Sequence, residues 1–144
     1  MRVHAEVTRR GDGWLVHVKE LNQSIVAQRP DDIVPQAFSL IGSQTRTPSE
    51  QVVLVVLSER DSVRRRAAGL GFEQLAEGPP RTDIFQIPGK PRSVAVRYDD
   101  YGAVVDVHAT TQVAEYHPTR DGAYDALAYT ADYSDIKRRR LKSF

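Results

Sequence analysis

Apolar and polar residues alternate from the start of the chain. Val3, Ala5 and Val7 alternate with His4, Glu6 and Thr8; Gly11-Asp12-Gly13 interrupts; then Trp14, Val16 and Val18 alternate with Leu15, His17 and Lys19. A period of two on both sides of a glycine turn predicts an antiparallel hairpin with one apolar face. Centring the turn on Gly11 and Asp12 pairs Arg9 with Trp14, Val7 with Val16 and Ala5 with Val18. Both apolar sets then fall on the same face, so the register supports itself. A third strand is expected at Ser24 to Gln28. Asp31 or Asp32 next stands where a helix N-cap belongs, and Ile33, Ala37, Leu40 and Ile41 recur at helical spacing. Pro35 falls in the first turn, where its missing N–H costs little, and Gly42 offers a left-handed end to this helix.

Past a polar loop over Ser43 to Ser49, a fourth strand is expected from Gln51 to Leu57. Its Val-Val-Leu-Val-Val-Leu run lacks alternation. That is the pattern of a strand covered on both faces, which makes it the candidate for the centre of the sheet. Ser58 with Asp61 three residues later resembles a capping box, and Val63, Ala67 and Leu70 form a helical stripe ended by Gly71 with Phe72 beyond. A second helix over Glu59 to Leu70 follows. After a turn-rich break at Glu77 to Pro80, strands are expected over Asp83 to Ile87, Arg92 to Asp99 and Ala103 to about Tyr116, a meander. From Thr119, Tyr124, Leu127, Ala128 and Ala131, with Tyr129, Tyr133 and Ile136, suggest a third helix, and Lys137 to Phe144 read as a frayed end.

The fold class is therefore α+β with a mainly antiparallel sheet flanked by helices. The chain of 144 residues, 40% hydrophobic, suits one domain or two very small ones, 1–57 and 58–144, sharing a core. No run reaches the length of a membrane-spanning helix and the N-terminus lacks signal-peptide character, so the cytoplasm is the expected location and no membrane partner is expected. Cysteine is absent, which excludes disulfides, thiolate nucleophiles and Cys-ligated zinc. The excess of arginine over lysine suggests a bacterial or phage source. Net charge is +1, and both parts are close to balanced, so no global field draws the molecule to nucleic acid.

Candidate chemistry is sparse. In the hairpin register His17 lies opposite Glu6, and His4 opposite Lys19, on the polar face. A solvated cross-strand ion pair accounts for Glu6 and His17 without a catalytic role. His108 with Asp106, and His117 with Glu115, repeat a two-residue spacing that places both side chains on one face of a strand, where they could hold a divalent metal. Chance alternation produces the same spacing. Ser24, Ser39, Ser43 and Ser93 lack a nucleophile-elbow context, no glycine loop has a phosphate-binding pattern, and no cofactor is expected. Two basic runs remain. Arg64, Arg65 and Arg66 are consecutive on the second helix and so spread around it, Arg66 beside the apolar seam and Arg64 and Arg65 reaching water. Lys137, Arg138, Arg139 and Arg140 with Lys142 form a denser cluster that could meet phosphates or an acidic partner surface, and that also suits the dipole of a helix C-terminus.

The first part resembles the HicB-like antitoxin family. The matching pieces are Gly11-Asp12-Gly13-Trp14, Val18-Lys19-Glu20-Leu21, Ile25-Val26-Ala27-Gln28, then Asp31-Asp32 and Ala37, over Met1 to about Leu57. The chain departs from the family at Asn22-Gln23, where Pro-Gly is usual, and at Pro30 and Pro35. The resemblance implies a non-enzymatic module that binds and blocks a small, basic ribonuclease toxin, generally as a homo-oligomer. The family's usual DNA-binding segment is not recognisable. The second part, helix, three strands, helix, shares its succession with double-stranded-RNA-binding domains and with HicA-like toxins, including Gly71-Phe72 after the first helix. The toxin's catalytic histidine has no counterpart in Pro79-Pro80-Arg81-Thr82-Asp83. Two alternatives therefore stand beside a protein-binding module: an RNA-binding module using the second half and its basic end, and a metal-dependent nuclease centred on Asp106, His108, Glu115 and His117.

Overall fold

The computed structural model describes residues 1–76, 78–110 and 115–142, with the backbone alone for residues 133–142. The protein is α+β, and its strands are divided between two four-stranded, mostly antiparallel sheets. Internal contacts separate two compact units, Met1–Ser62 and Val63–Phe144.

In the first unit β1 (Arg2–Arg10) and β2 (Gly13–Val18) form the hairpin in the register that alternation dictates, with Arg9 opposite Trp14, Val7 opposite Val16 and Ala5 opposite Val18. Gly11 has φ +58°, as the first position of a type II′ turn requires. β3 (Gln23–Ala27) pairs antiparallel with β2, α1 (Ile33–Thr45) crosses one face, and β4 (Val53–Leu57) returns parallel to β1, so the order is β3-β2-β1-β4. Val3, Ala5, Val7, Trp14, Val16, Val18 and Ala27 face Ile33, Ala37 and Ile41 of α1 across the core.

Three sequence expectations fail here. Asp31 and Asp32 lie in a single 3-10 turn before α1, and Asp32 stands at the N-cap without a side-chain capping hydrogen bond. β4 is an edge strand, not the centre of the sheet, and it is not covered on both faces: Val53 is 62% and Val56 40% exposed. A continuous apolar run shows only that neither face excludes apolar side chains; it carries no information about what lies beyond the strand. Gly42 does not end α1, which runs three residues further and closes on Arg46 in the left-handed region at φ 55°. Pro35 stays within the first turn, as expected.

The capping box is present: Ser58 N–H donates to Asp61 Oδ2 at 2.9 Å, and Asp61 N–H to Ser58 Oγ at 3.3 Å. It opens α2 (Glu59–Gly69), which begins in the first unit and ends in the second with a Schellman bond from Phe72 N–H to Ala67 C=O. The second sheet is an antiparallel meander of β5 (Glu73–Gln74), β6 (Thr82–Gln86), β7 (Ser93–Tyr98) and β8 (Val104–Ala109). Val63 and Ala67 of α2 share one core with Phe85, Val94, Val96, Tyr98 and Val107 of the sheet and with Ala123, Ala126 and Leu127 of α3 (Arg120–Lys142). Both helices therefore pack on the same sheet face. The two-residue β5 is too short to show a period, so alternation does not reveal it. β8 ends at Ala109, well before Tyr116, and Glu115 to His117 are not strand. The expected strand also runs through residues 111–114, which lie outside the described residues. Helix α3 continues to Lys142 where a frayed end was expected, carrying the basic run on its last turns, a placement the helix dipole favours.

Thr119 caps α3, accepting Gly122 N–H on Oγ1 at 3.1 Å and Ala123 N–H on its carbonyl at 2.9 Å. At Gly122 the chain approaches itself more closely than any side chain permits. A Cβ built there would lie 1.8 Å from the carbonyl oxygen of His117.

Candidate functional site

The polar face of the first sheet, opposite α1, brings together most of the titratable residues of the hairpin. His17 is opposite Glu6 as the register demands, yet the two do not form the expected ion pair. Glu6 instead accepts from Lys19 Nζ at 2.9 Å, and His17 Nδ1 hydrogen-bonds Ser24 Oγ at 2.8 Å. The reason is β3. His17 has a second cross-strand neighbour, Ser24, directly opposite on the other side, while the long Lys19 side chain reaches back to Glu6. His4 likewise meets Glu20, not Lys19: its imidazole pairs with Glu20 Oε1 and its backbone N–H donates to both carboxylate oxygens at 2.9 and 3.1 Å. These pairs are half-exposed, an arrangement that fixes strand ends.

Burial works to raise the Glu20 carboxyl, but the His4 N–H and imidazole outweigh it and hold the group below its ordinary value of 4.5. A carboxylate lowered by folding stabilises the native state above the unfolded value, and that contribution fades as pH falls through the lower folded value. Glu20→Gln is therefore expected to cost stability at neutral pH, with the gap to wild type closing below about pH 4.5. Urea titrations across the acid limb measure it, and a gap independent of pH would contradict the assignment.

A buried carboxylate ends the ladder on the other side of β1. Where β4 has stopped, Glu59, 3% exposed, accepts Arg9 N–H in place of a strand carbonyl. The Arg9 guanidinium lies 4.3 Å over the Trp14 ring.

Between α1 and the edge strand β3 runs a shallow groove, lined by Ile25 and Leu40 together with Gln36, Ser39 and Ser43. None of these five carries a charge. Val26, the next residue along the same edge, is 53% exposed.

In the second unit, the arginines expected to reach water have different fates. Arg64 makes a bidentate ion pair with Asp83, Nε to Oδ2 at 2.8 Å and Nη2 to Oδ1 at 2.9 Å, and Gln74 Nε2 adds a third donor at 3.2 Å. Asp83 is 1% exposed. It sits on the helix-facing side because it lies two residues from Phe85 in β6, a signal readable in the sequence and missed by the strand assignment alone. Arg64 thus balances a buried charge instead of extending to solvent. Arg65 is exposed, and Arg66 stacks on Tyr124 at 4.2 Å beside the apolar seam. Lys137, Arg138, Arg139, Arg140 and Lys142 all lie within the helical backbone of α3, and their side chains are outside the described residues. Asp106 and His108 are both exposed on β8, whereas Glu115 and His117 are not on a strand and so lose the shared face their spacing suggested. Among the described residues, no three His, Asp or Glu side chains come together as a metal site would require. Among those residues, too, no helix is long and apolar enough to cross a membrane. Compared with protein-family models, with curated proteins and with solved structures, the chain matches none.

Proposed function

We propose that the protein is a non-enzymatic binding module whose first unit docks a protein partner, a small basic ribonuclease toxin as in HicB-like antitoxins. The observation that carries this reading is the groove between α1 and β3. Its apolar floor of Ile25 and Leu40 and its uncharged rim of Gln36, Ser39 and Ser43 let a partner bury apolar surface without stripping water from a charge. The flanking edge strand adds main-chain groups that a partner strand or loop can pair with. The β-β-β-α-β order of residues 1–57 is the scaffold the resemblance calls for.

The test is co-expression with each small basic protein encoded beside this gene. A complex that survives size exclusion, and relief of the growth arrest the neighbour causes, are the expected results. Ser43→Arg, on the exposed rim, should weaken that complex at least tenfold, about 1.4 kcal/mol, while leaving Trp14 fluorescence unchanged. A gene neighbourhood without such a protein, or a complex indifferent to Ser43→Arg, would overturn the reading.

A second reading, RNA binding by the second unit, draws on exposed Arg65 and on the helical course of the basic run to Lys142. It predicts binding that weakens steeply as salt rises, and undetectable RNA binding at low salt ends it.

A further inference from the structure

We infer that the partner segment seated in the groove is an extended strand, added to the free edge of β3 so that its residue opposite Ile25 sends an uncharged apolar side chain into the groove. This rests on the partner-binding reading above and specifies what that site takes. The hairpin fixes which backbone groups the β3 edge leaves open. Gly11 and Asp12 alone form its turn, so Arg10 and Gly13 face each other as a hydrogen-bonded pair, and the alternation continues through Thr8 with Leu15 and Glu6 with His17. Trp14, Val16 and Val18 therefore turn their backbone groups to β3, where they meet Ala27, Ile25 and Gln23. The Ala27 carbonyl oxygen points that way, 3.0 Å from the place of a Cβ on Gly13. Two groups of β1 agree with this phase: His4 N–H donates to Glu20 on the β2 side, and Arg9 N–H to Glu59 on the β4 side. What remains on β3 is Ser24 and Val26, whose N–H and C=O groups point outward from the edge.

An antiparallel strand laid on this edge exchanges two hydrogen bonds with Ser24 and two with Val26, and its residue between those positions stands opposite Ile25. Ile25 shares the α1 face with Val16, so the incoming side chain lands on that face too, over the groove that Ile25, Gln36 and Leu40 line. A helix laid in the same groove leaves the outward groups of Ser24 and Val26 unpaired, which is why the occupant is a strand. Charge complementarity sets its chemistry. No residue from Leu21 to Gln28, and none from Ile33 to Thr45, is charged, although 27% of the chain is. Between two such walls a charged side chain loses water and gains no counter-charge, whereas an apolar one loses nothing. Gln23 Nε2 donates to Gln44 Oε1 at 3.3 Å, tying β3 to α1 at one end. The next residue of the incoming strand on that face, opposite Gln23, therefore meets an amide pair and is polar. The edge is also open to pairing, since β3 carries no charge, no proline and no bulge.

The test follows amide hydrogen exchange of the full chain by nuclear magnetic resonance, alone and in complex with the co-expressed neighbour protein. Alone, the Ser24 and Val26 amides should exchange freely while those of Ile25 and Ala27 are protected; in the complex both outward amides should slow by about a hundredfold. Val26→Pro removes one outward N–H and no bond to β2, and should weaken the complex by about tenfold with near-ultraviolet circular dichroism unchanged. Val26→Thr keeps that N–H and alters only a side chain on the face away from the groove, so it should bind as wild type does. The exchange measurement needs no variant and stands if the proline protein folds poorly. A complex in which Ser24 and Val26 still exchange freely, or one that Val26→Thr weakens as much as Val26→Pro, overturns strand addition and leaves the partner-binding reading in place. The absence of any complex overturns both.

Discussion

Gly122→Ala is expected to unfold the second unit or to cost it about 3 kcal/mol or more, although it adds one methyl group at a helical position. By propensity alone, alanine should stabilise a helix relative to glycine by roughly 0.5–1 kcal/mol. Geometry reverses the sign. The added Cβ would sit 1.8 Å from the His117 carbonyl oxygen and 2.7 Å from its carbon, so the two backbones must part by more than an ångström. Neither side can yield without losing a bond. Thr119 Oγ1 accepts Gly122 N–H at 3.1 Å, and the His117 carbonyl accepts Thr119 N–H at 2.8 Å, so moving apart dismantles the N-cap of α3. That helix supplies Ala123, Ala126 and Leu127, all fully buried, to the core. Gly42→Ala is the matched control. It lies inside α1 with nothing within 4 Å of the new Cβ, and should stabilise the protein by roughly 0.5–1 kcal/mol. Denaturant titrations of both variants should move in opposite directions, and a Gly122→Ala protein as stable as wild type would show that the close approach does not exist in solution.

The second large effect is expected at the Arg64–Asp83 pair. Arg64→Met should destabilise the second unit by about 3 kcal/mol, at the low end of the range for breaking a buried ion pair because the Arg64 side chain is itself 40% exposed. The cost comes from Asp83, left 1% exposed within the helix-facing layer with its bidentate donor gone. Adding Asp83→Leu to Arg64→Met should recover most of the loss, since two apolar groups leave no uncompensated charge. A double-mutant cycle by urea titration measures the coupling, and losses that merely add would refute it. The pair also bears on the basic helix. With its charge balanced by Asp83, Arg64 contributes less to any phosphate contact than Arg65, so Arg65→Gln is the substitution that tests nucleic-acid binding without disturbing the fold.

The legible parts of this protein share a property: each is encoded within a few residues. The hairpin register follows from the period of two around Gly11, and the capping box of Ser58 and Asp61 from a three-residue spacing, because hydrogen bonds between near neighbours leave few alternatives. Where a side chain has several partners within reach, local spacing stops deciding. Glu6 and His17 are opposite each other as alternation requires, yet each bonds elsewhere, since a cross-strand position offers a carboxylate or an imidazole more than one neighbour. Asp83 was readable in principle, standing two residues from Phe85 in one strand, but its partner Arg64 lies nineteen positions away on a helix whose rotation about its axis is set only by packing.

By itself, the sequence determined most element types, the apolar face and pairing of the first hairpin, and the α+β class, because periodicity and turn chemistry act along the chain. The tertiary structure alone decided that there are two sheets, that β4 lies parallel to β1 at an edge, that Arg64 turns to a buried aspartate, and that Gly122 admits no side chain. Strand order and close backbone approach depend on contacts between residues far apart in sequence. The run from Val52 to Leu57 reads the same whether it ends beside another strand or beside water.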